Sequence, residues 1–365
     1  MDWQKSFTRF VHAVEILFDR IRYRKIDSSK PWIIIPYLGF GSGKFLDLKG
    51  RVIEDKGIQP SSETDRVWTN LLNMYRRFES DEIPYARIRA RFQDLEQEVT
   101  ADEEGFFKVS FLFDTTLQFK GRWQNIELEL LEPKNSSNQR ISAIGKALIV
   151  SPGAQYGVIS DIDDTVVHTG VTSRLKMVFT VLLKNARTRL PLKGVANFYN
   201  ALQQGTERIA DNPLFYVSSS PWNIYDLFRE FFQIHGIPLG PVILRNWGIE
   251  SQSIYAVKNR KYKMDSICYI LDRFPDLKFI LIGDSGEEDP EIYSQVMRSY
   301  PQRILTAYIR CVMNKPQRRE EIRLLAEQAA TFGSALVLAE DTQTMAIHAA
   351  EQGWISLSAV SQPAQ

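Results

Sequence analysis

From residue 156 onward, short apolar runs alternate with stretches of helical periodicity, and no other feature constrains the fold of this chain so tightly. The runs cover 156–160, 214–217, 242–244, 279–282, 305–309 and 335–338. A strand covered by helices on both faces reads as an unbroken apolar run rather than as an alternation. Repeated strand–helix units therefore predict an α/β domain with a Rossmann-like parallel sheet. Sheets of this kind place their ligands just beyond the carboxyl ends of the strands. The residues that follow each run are where chemistry is to be sought.

Those residues are acidic and polar. After the first run comes Asp161-Ile162-Asp163-Asp164-Thr165, after the second Ser218-Ser219-Ser220-Pro221-Trp222-Asn223, and after the fourth Asp284-Ser285-Gly286-Glu287-Glu288-Asp289. Carboxylates gathered at neighbouring strand ends repel one another unless a cation compensates them. Mg²⁺, a hard ion bound by a few carboxylates and a substrate phosphate, meets that need. The spacing of Asp161 and Asp163 lets one carboxylate attack phosphorus while the other protonates the leaving oxygen. The same aspartates could be helix caps or turn formers, and the serines a capping run. Arg245 reads either as a surface ion pair or as a group that reaches substrate.

Between about 32 and 150 the period changes to two. Ile88, Ala90 and Phe92 alternate with arginines; Phe107, Val109 and Phe111 with Lys108 and Ser110; Ile126, Leu128 and Leu130 with glutamates. Asp102-Glu103-Glu104-Gly105 punctuates two of the runs as a turn. An all-β, sandwich-like domain is predicted, interrupted by a helix with N-cap candidates Ser61 and Ser62 and an apolar stripe of Val67, Trp68, Leu71, Leu72 and Tyr75. Gly39, Gly41 and Gly43 could cradle phosphate, although no strand–helix context follows them. Residues 3–21 carry Trp3, Phe7, Phe10, Val11, Val14, Leu17, Phe18 and Ile21 at helical spacing. That amphipathic helix either docks on a neighbouring domain or lies on an anionic membrane. The predicted domains are 1–30 (amphipathic helix), 31–152 (sandwich-like) and 153–365 (catalytic).

Composition excludes several alternatives. Forty-five basic side chains meet 44 acidic ones among 365 residues, so net charge is +1 and a globally basic nucleic-acid binder is excluded. Two cysteines and four scattered histidines supply neither a disulfide framework nor a four-ligand zinc site. No stretch approaches the ~18 apolar residues of a membrane span. Asp2 stands where a signal peptide would be basic, and Arg9, Glu15 and Asp19 break the apolar run. The expected setting is the cytoplasm, with peripheral membrane contact left open.

Asp161-x-Asp163-x-Thr165, a serine ending the next run, a lysine, and Gly283-Asp284-x₄-Asp289 resemble the four motifs of haloacid dehalogenase-like phosphatases. The longer strings GVISDIDDTVVHTGVTS, NARTRLPLKGVANFY, NPLFYVSSSPWNIYDLF, HGIPLGPVILRNWG and FPDLKFILIGDSGEEDPEIY resemble the actin-patch-associated phosphatidate phosphatase family over about 156–310. The strings LLNMYRRFESDEIP and VTADEEGFFKVS are similar to the sandwich that precedes the catalytic domain in bacterial members. The resemblance implies an aspartyl-phosphate mechanism. Asp161 would be nucleophile and Mg²⁺ ligand, and Asp163 general acid and base with its carbonyl on the metal. Thr165 would shape the loop, and Ser218, or else Ser219 or Ser220, would bind phosphoryl oxygens. Lys263 would be the superfamily lysine, with Lys258 and Lys261 as neighbours. Asp284 would ligate Mg²⁺, supported by Asp289 or Glu288. Asn246 departs from the aspartate that the family pattern leads one to expect.

Between Thr165 and Thr206 there is no acid and there are six basic residues: Arg174, Lys176, Lys184, Arg187, Arg189 and Lys193. They either balance an acidic site or form a lip that attracts a phosphorylated lipid from an anionic bilayer. The expected function is Mg²⁺-dependent hydrolysis of a phosphomonoester, with phosphatidate giving diacylglycerol. The alternatives are a soluble or protein-borne phosphate, or a non-catalytic membrane-binding module on the same scaffold.

Overall fold

A computed structural model describes residues 31–55, 82–134, 140–163, 165–166, 192–207, 211–245, 252–312 and 315–356, with side chains undescribed over 252–258. The predicted helices at 3–21 and 61–75, Asp164, the basic positions 174–189, Asn246 and the Lys258 side chain lie outside the described residues. The chain folds as two compact units, and the second takes over from the first in sequence between Ile149 and Val150.

The first unit is all-β. Its strands are β1 Trp32–Pro36, β2 Gly39–Ser42, β3 Phe45–Glu54, β4 Arg87–Phe92, β5 Leu95–Thr100, β6 Phe106–Leu112, β7 Trp123–Glu132 and β8 Ser142–Ile149. They form one hydrogen-bonded sheet in the order β1-β3-β2-β8-β7-β4-β5, with β6 also paired to β3. The all-β character expected of this sandwich-like domain is present, and the long β3 ties its strands together by pairing with β1, β2 and β6 at once. The period-two alternation is obeyed in β4, β6 and β7, whereas β3 is buried along almost its whole length. Leu46, Leu48, Val52, Ile88, Ala90, Phe92, Phe107, Val109, Phe111, Ile126, Leu128 and Leu130 fill one core. On the opposite face, Arg89 and Arg91 stand in register between Glu98 and Glu96 of β5 and Glu129 and Glu127 of β7. Such exposed pairs specify register more than they add stability. The turn at Asp102 forms because its Oδ1 accepts the N–H groups of Glu104 and Phe106, both at 2.9 Å. Gly39 and Gly41 lie in the β2–β3 hairpin, where a Cβ would come within 2.2 and 2.3 Å of carbonyls of β3. They serve strand packing and make no phosphate cradle.

The second unit is a parallel α/β sheet. All six predicted runs are strands: β9 Gly157–Ser160, β10 Leu214–Pro221, β11 Val242–Arg245, β12 Phe279–Asp284, β13 Ile304–Arg310 and β14 Ala335–Ala339. Their order is β11-β10-β9-β12-β13-β14, and every pairing is parallel. The helices are α1 Val195–Gln204, α2 Tyr225–Ile234, α3 Gln252–Arg273, α4 Asp289–Ser299, α5 Pro316–Thr331 and α6 Thr342–Glu351. The chain leaves central β9 for β10 on one side and later places β12 on the other. This reversal of strand order opens a crevice at the carboxyl end of β9. Among the described residues, no helix is long and apolar enough to cross a membrane.

Candidate active site

Asp161, Asp163, Thr165, Ser218, Lys263, Asp284 and Asp289 lie at or beside that crevice, and each is buried. β9 stops where apolar residues stop, yet its pairing runs on by one residue: the Asp161 N–H donates to the Ile282 carbonyl at 2.8 Å. Ile162 is buried, and the Val166 N–H returns to its carbonyl at 2.9 Å, closing a tight turn. The two aspartates of this turn serve opposite sides of the crevice. Asp161 faces Lys263 of α3, whose Nζ lies 2.7 Å from its Oδ1. Asp163 faces β10, where Ser218 Oγ and Ser220 Oγ donate to its Oδ2 at 2.8 and 3.3 Å. Ser218 also accepts the Ser220 N–H at 3.0 Å. Ser219, between them, is buried. Thr165 is buried, and its Oγ1 has no hydrogen bond among the described residues.

On the β12 side, the Asp284 carboxylate is fixed by its own loop. Its Oδ1 accepts the N–H groups of Gly286 at 2.6 Å and Glu287 at 3.1 Å. Asp289, in the first turn of α4, uses both its oxygens. One pairs with Lys263 Nζ, and the other accepts the Asp284 N–H at 3.1 Å. This approach needs Gly283, where a Cβ would sit 2.3 Å from the Asp289 carboxylate. The third ion pair of Lys263 runs to Glu287, at 3.7 Å. Lys263 thus meets Asp161 and Asp289, whereas Lys261 is exposed.

Burial dominates the electrostatics. It pushes Asp161 well above the ordinary carboxylate range, opposed by Lys263 and reinforced by Asp289, Glu287 and Asp163. It does the same to Asp284, reinforced by Asp289 and Glu287, and raises Asp289 against the pull of Lys263. Burial disfavours the Lys263 ammonium too, but Asp161, Asp289 and Glu287 outweigh it and hold this group well above its ordinary value. One ammonium stands among five carboxyl groups, more than it could neutralise were all of them ionised.

The carboxylates of Asp161, Glu287 and Asp289 approach one another within 4.8 Å and could hold a metal ion. Lys263 already stands among those three, so the atoms most in need of a cation are others. Asp161 Oδ2 and Asp284 Oδ2 are buried and accept no hydrogen bond from the described residues. A buried carboxylate oxygen without a donor is costly, and a hard divalent cation satisfies it. The donor set fits such an ion.

Three residues escaped the sequence reading. Glu287 belongs to the acidic run but was assigned no contact. Arg310, at the end of β13 in register with Asp284, is buried, and its guanidinium donates to Thr342 Oγ1 at 2.6 Å. Arg318 of α5 holds the loop after β12. Both arginines come from elements whose sequence carries no motif. Arg245, whose alternatives included a surface ion pair, is buried at the end of β11.

Residues 156–311 match the family described as phosphatidate phosphatase APP1, catalytic domain. The phosphatidate phosphatase APP1 of Saccharomyces cerevisiae is 35% identical over 201 residues, covering 54% of this chain and 33% of that protein. An uncharacterized protein of Schizosaccharomyces pombe is 28% identical over 240 residues, covering 64% of this chain and 38% of that one. The chain thus spans little more than a third of the length of these curated relatives. A solved carbohydrate acetylesterase from Xanthomonas citri aligns over 82% of this chain and 75% of its own, at 11% identity and a TM-score of 0.26. That likeness says nothing of fold or activity. The segment that resembles the phosphatidate phosphatase APP1 catalytic domain is thus the one whose strand ends carry the aspartates and whose helix α3 carries the buried lysine.

Proposed function

We propose that residues 153–365 form a haloacid dehalogenase-like phosphatase that hydrolyses phosphatidate to diacylglycerol and inorganic phosphate, preceded by the all-β domain of 31–152. The observation that carries this reading is the buried Lys263 ammonium set between Asp161 and Asp289 beyond the central strand of a parallel sheet. The family match over the same residues supports it.

In this reading an oxygen of Asp161 attacks phosphorus. A phosphorus–oxygen bond forms to Asp161 as the ester bond to the glyceride breaks, and Asp163 delivers its proton to the departing oxygen. Asp163 then takes a proton from water, which attacks the aspartyl phosphate and releases phosphate and free Asp161. Lys263 shares its charge between Asp161 and the transferring phosphoryl group. Two hydroxyls donate to the same oxygen of Asp163. Ser220 can therefore keep Asp163 in place while the Ser218 hydroxyl turns to a phosphoryl oxygen. Thr165 shapes the turn that carries both aspartates.

Mg²⁺ would be held by Asp161, Asp284 and the Asp163 backbone carbonyl, with Asp289 behind Asp284, and when bound it would neutralise charge on the phosphoryl group. Phosphatidate resides in a bilayer, so the enzyme would work in the cytoplasm at an anionic membrane surface. The acid-free sequence between Thr165 and Thr206 is suited to that contact.

The test is phosphate release with Mg²⁺ from phosphatidate vesicles, lysophosphatidate, a soluble monoester and a phosphopeptide, by the wild type and Asp161→Asn. Release from phosphatidate vesicles should be fastest, and both the substitution and chelation should abolish it. Equal turnover of the soluble ester would select the soluble-phosphate alternative. Absence of Asp161-dependent turnover from every substrate would leave only the non-catalytic reading.

A further inference from the structure

We propose that Arg318 is a positioning residue for the cation-binding loop 284–289. The proposal rests on the reading of Asp284 as a metal ligand. Arg318 lies in the first turn of α5, seven residues beyond the segment that matches the family. Its guanidinium spans the loop from behind. Nε donates to the Ser285 carbonyl at 3.0 Å, and Nη2 donates to the Glu287 carbonyl at 2.8 Å. The 285–286 and 287–288 peptide groups are therefore tied to one rigid plane. That plane is anchored in turn: Nη1 and Nη2 meet the two oxygens of Glu291 in α4 at 2.5 and 3.0 Å, and Nη1 lies 3.2 Å from Glu321. The Arg318 side chain is only 14% exposed, so water competes poorly for these bonds.

What the loop presents depends on this grip. The same stretch of backbone turns the N–H groups of Gly286 and Glu287 onto Asp284 Oδ1, which leaves Oδ2 as the buried acceptor without a donor among the described residues. It also sets the Glu287 carboxylate 3.7 Å from Lys263. Ser285 is held at two further atoms. Its N–H donates to the Arg310 carbonyl at 2.9 Å, and its Oγ accepts the Val312 N–H at 3.0 Å. These bonds fix one end of the loop, and Arg318 is what joins that end to Glu287. Loss of a group that orients a metal ligand typically costs about 10–100-fold in metal affinity. Lysine cannot replace Arg318, because a point charge cannot bond two carbonyls and a carboxylate at once.

The experiment titrates Mg²⁺ calorimetrically into the metal-free 365-residue chain as wild type, Arg318→Lys, Arg318→Met and Arg323→Met. Amide hydrogen exchange is followed over 284–289 in the same proteins without metal. Arg323, on the same helix, makes exposed pairs with Glu320 and Glu327 and serves as the control. Both Arg318 variants should bind Mg²⁺ roughly 10–100-fold more weakly, and their Gly286 and Glu287 amides should exchange faster, while Arg323→Met matches the wild type. Turnover at saturating Mg²⁺ should change much less than the Mg²⁺ concentration needed to reach it. Wild-type affinity and exchange in Arg318→Met, or full rescue by lysine, overturns the proposal. If the wild type itself binds no Mg²⁺, the metal reading is what fails. The exchange arm then still decides on Arg318, with unchanged exchange counting against it and faster exchange for it.

Discussion

Lys263→Met should be the most damaging conservative-volume substitution in the second unit. The Lys263 residue is 1% exposed, and its ion-pair partners Asp161 and Asp289 are 1% and 0% exposed. Solvent screens none of these three. Methionine keeps most of the stem but removes the cation, leaving the buried Asp161 and Asp289 without the ammonium that both of them contact. Breaking a buried pair by deleting one partner costs about 3–5 kcal/mol. For a domain of this size, roughly 2–4 °C per kcal/mol turns that loss into a fall in melting temperature of about 6–20 °C. The assay is calorimetric melting of the 365-residue chain in a chelating buffer, so that no added cation fills the gap. Asp289→Asn placed in the same variant removes part of the stranded charge. The double variant should then recover at least about 1 kcal/mol relative to the sum of the two single losses. A loss below about 1 kcal/mol for Lys263→Met would refute the reasoning, because it is the magnitude of an exposed pair.

Other outcomes follow from the same geometry. Gly283→Ala places a Cβ against the buried Asp289 carboxylate, so it should cost about 1–3 kcal/mol and weaken Mg²⁺ binding; a variant with wild-type stability and affinity contradicts this. Ser218→Ala and Ser220→Ala each leave Asp163 one of these two hydroxyl donors. Steady-state kinetics should show a modest loss of kcat in either, and a loss of roughly 100-fold or more in the double variant. A double variant no slower than the worse single one contradicts the shared role. Burial lowers the His348 imidazole below its ordinary 6.5, against a smaller opposing effect of Glu351. The unfolded chain then binds more protons than the fold, so this contribution is present above about pH 6.5 and is lost as pH falls. Melting temperature should drop more between about pH 7.5 and 5.5 in the wild type than in His348→Asn; equal drops would contradict the assignment.

The parallel sheet was legible because buried strands leave a mark that needs no partner to be read. The runs at 157–160 and 279–282 are apolar at nearly every position since both their faces are covered. The acidic groups at their ends were legible for the same reason, as Asp161 and Asp284 interrupt the apolar runs. What remained hidden depends on meetings between elements distant in sequence. Arg318 reads as one more charge on a polar helix, and only the return of α5 beside the loop after β12 brings it to Ser285 and Glu287. Arg310 reads as the polar end of a strand until register sets it beside Asp284. In the all-β unit, alternation identified which residues face the core, but not that β3 would pair with three strands and join them into one sheet. Alternation specifies a face and leaves the choice of neighbour to turn geometry and packing.

The central claim is that Asp161 takes the phosphoryl group. The most direct measurement is rapid acid quench of the wild type and Asp161→Asn during turnover of phosphatidate vesicles with Mg²⁺, followed by mass spectrometry of the peptide spanning 157–166. The expected result is a phosphoryl group on Asp161, labile to hydroxylamine as an acyl phosphate is, and absent from the variant. Phosphate release at full rate with no label on Asp161, or with the label on another residue, would contradict the account.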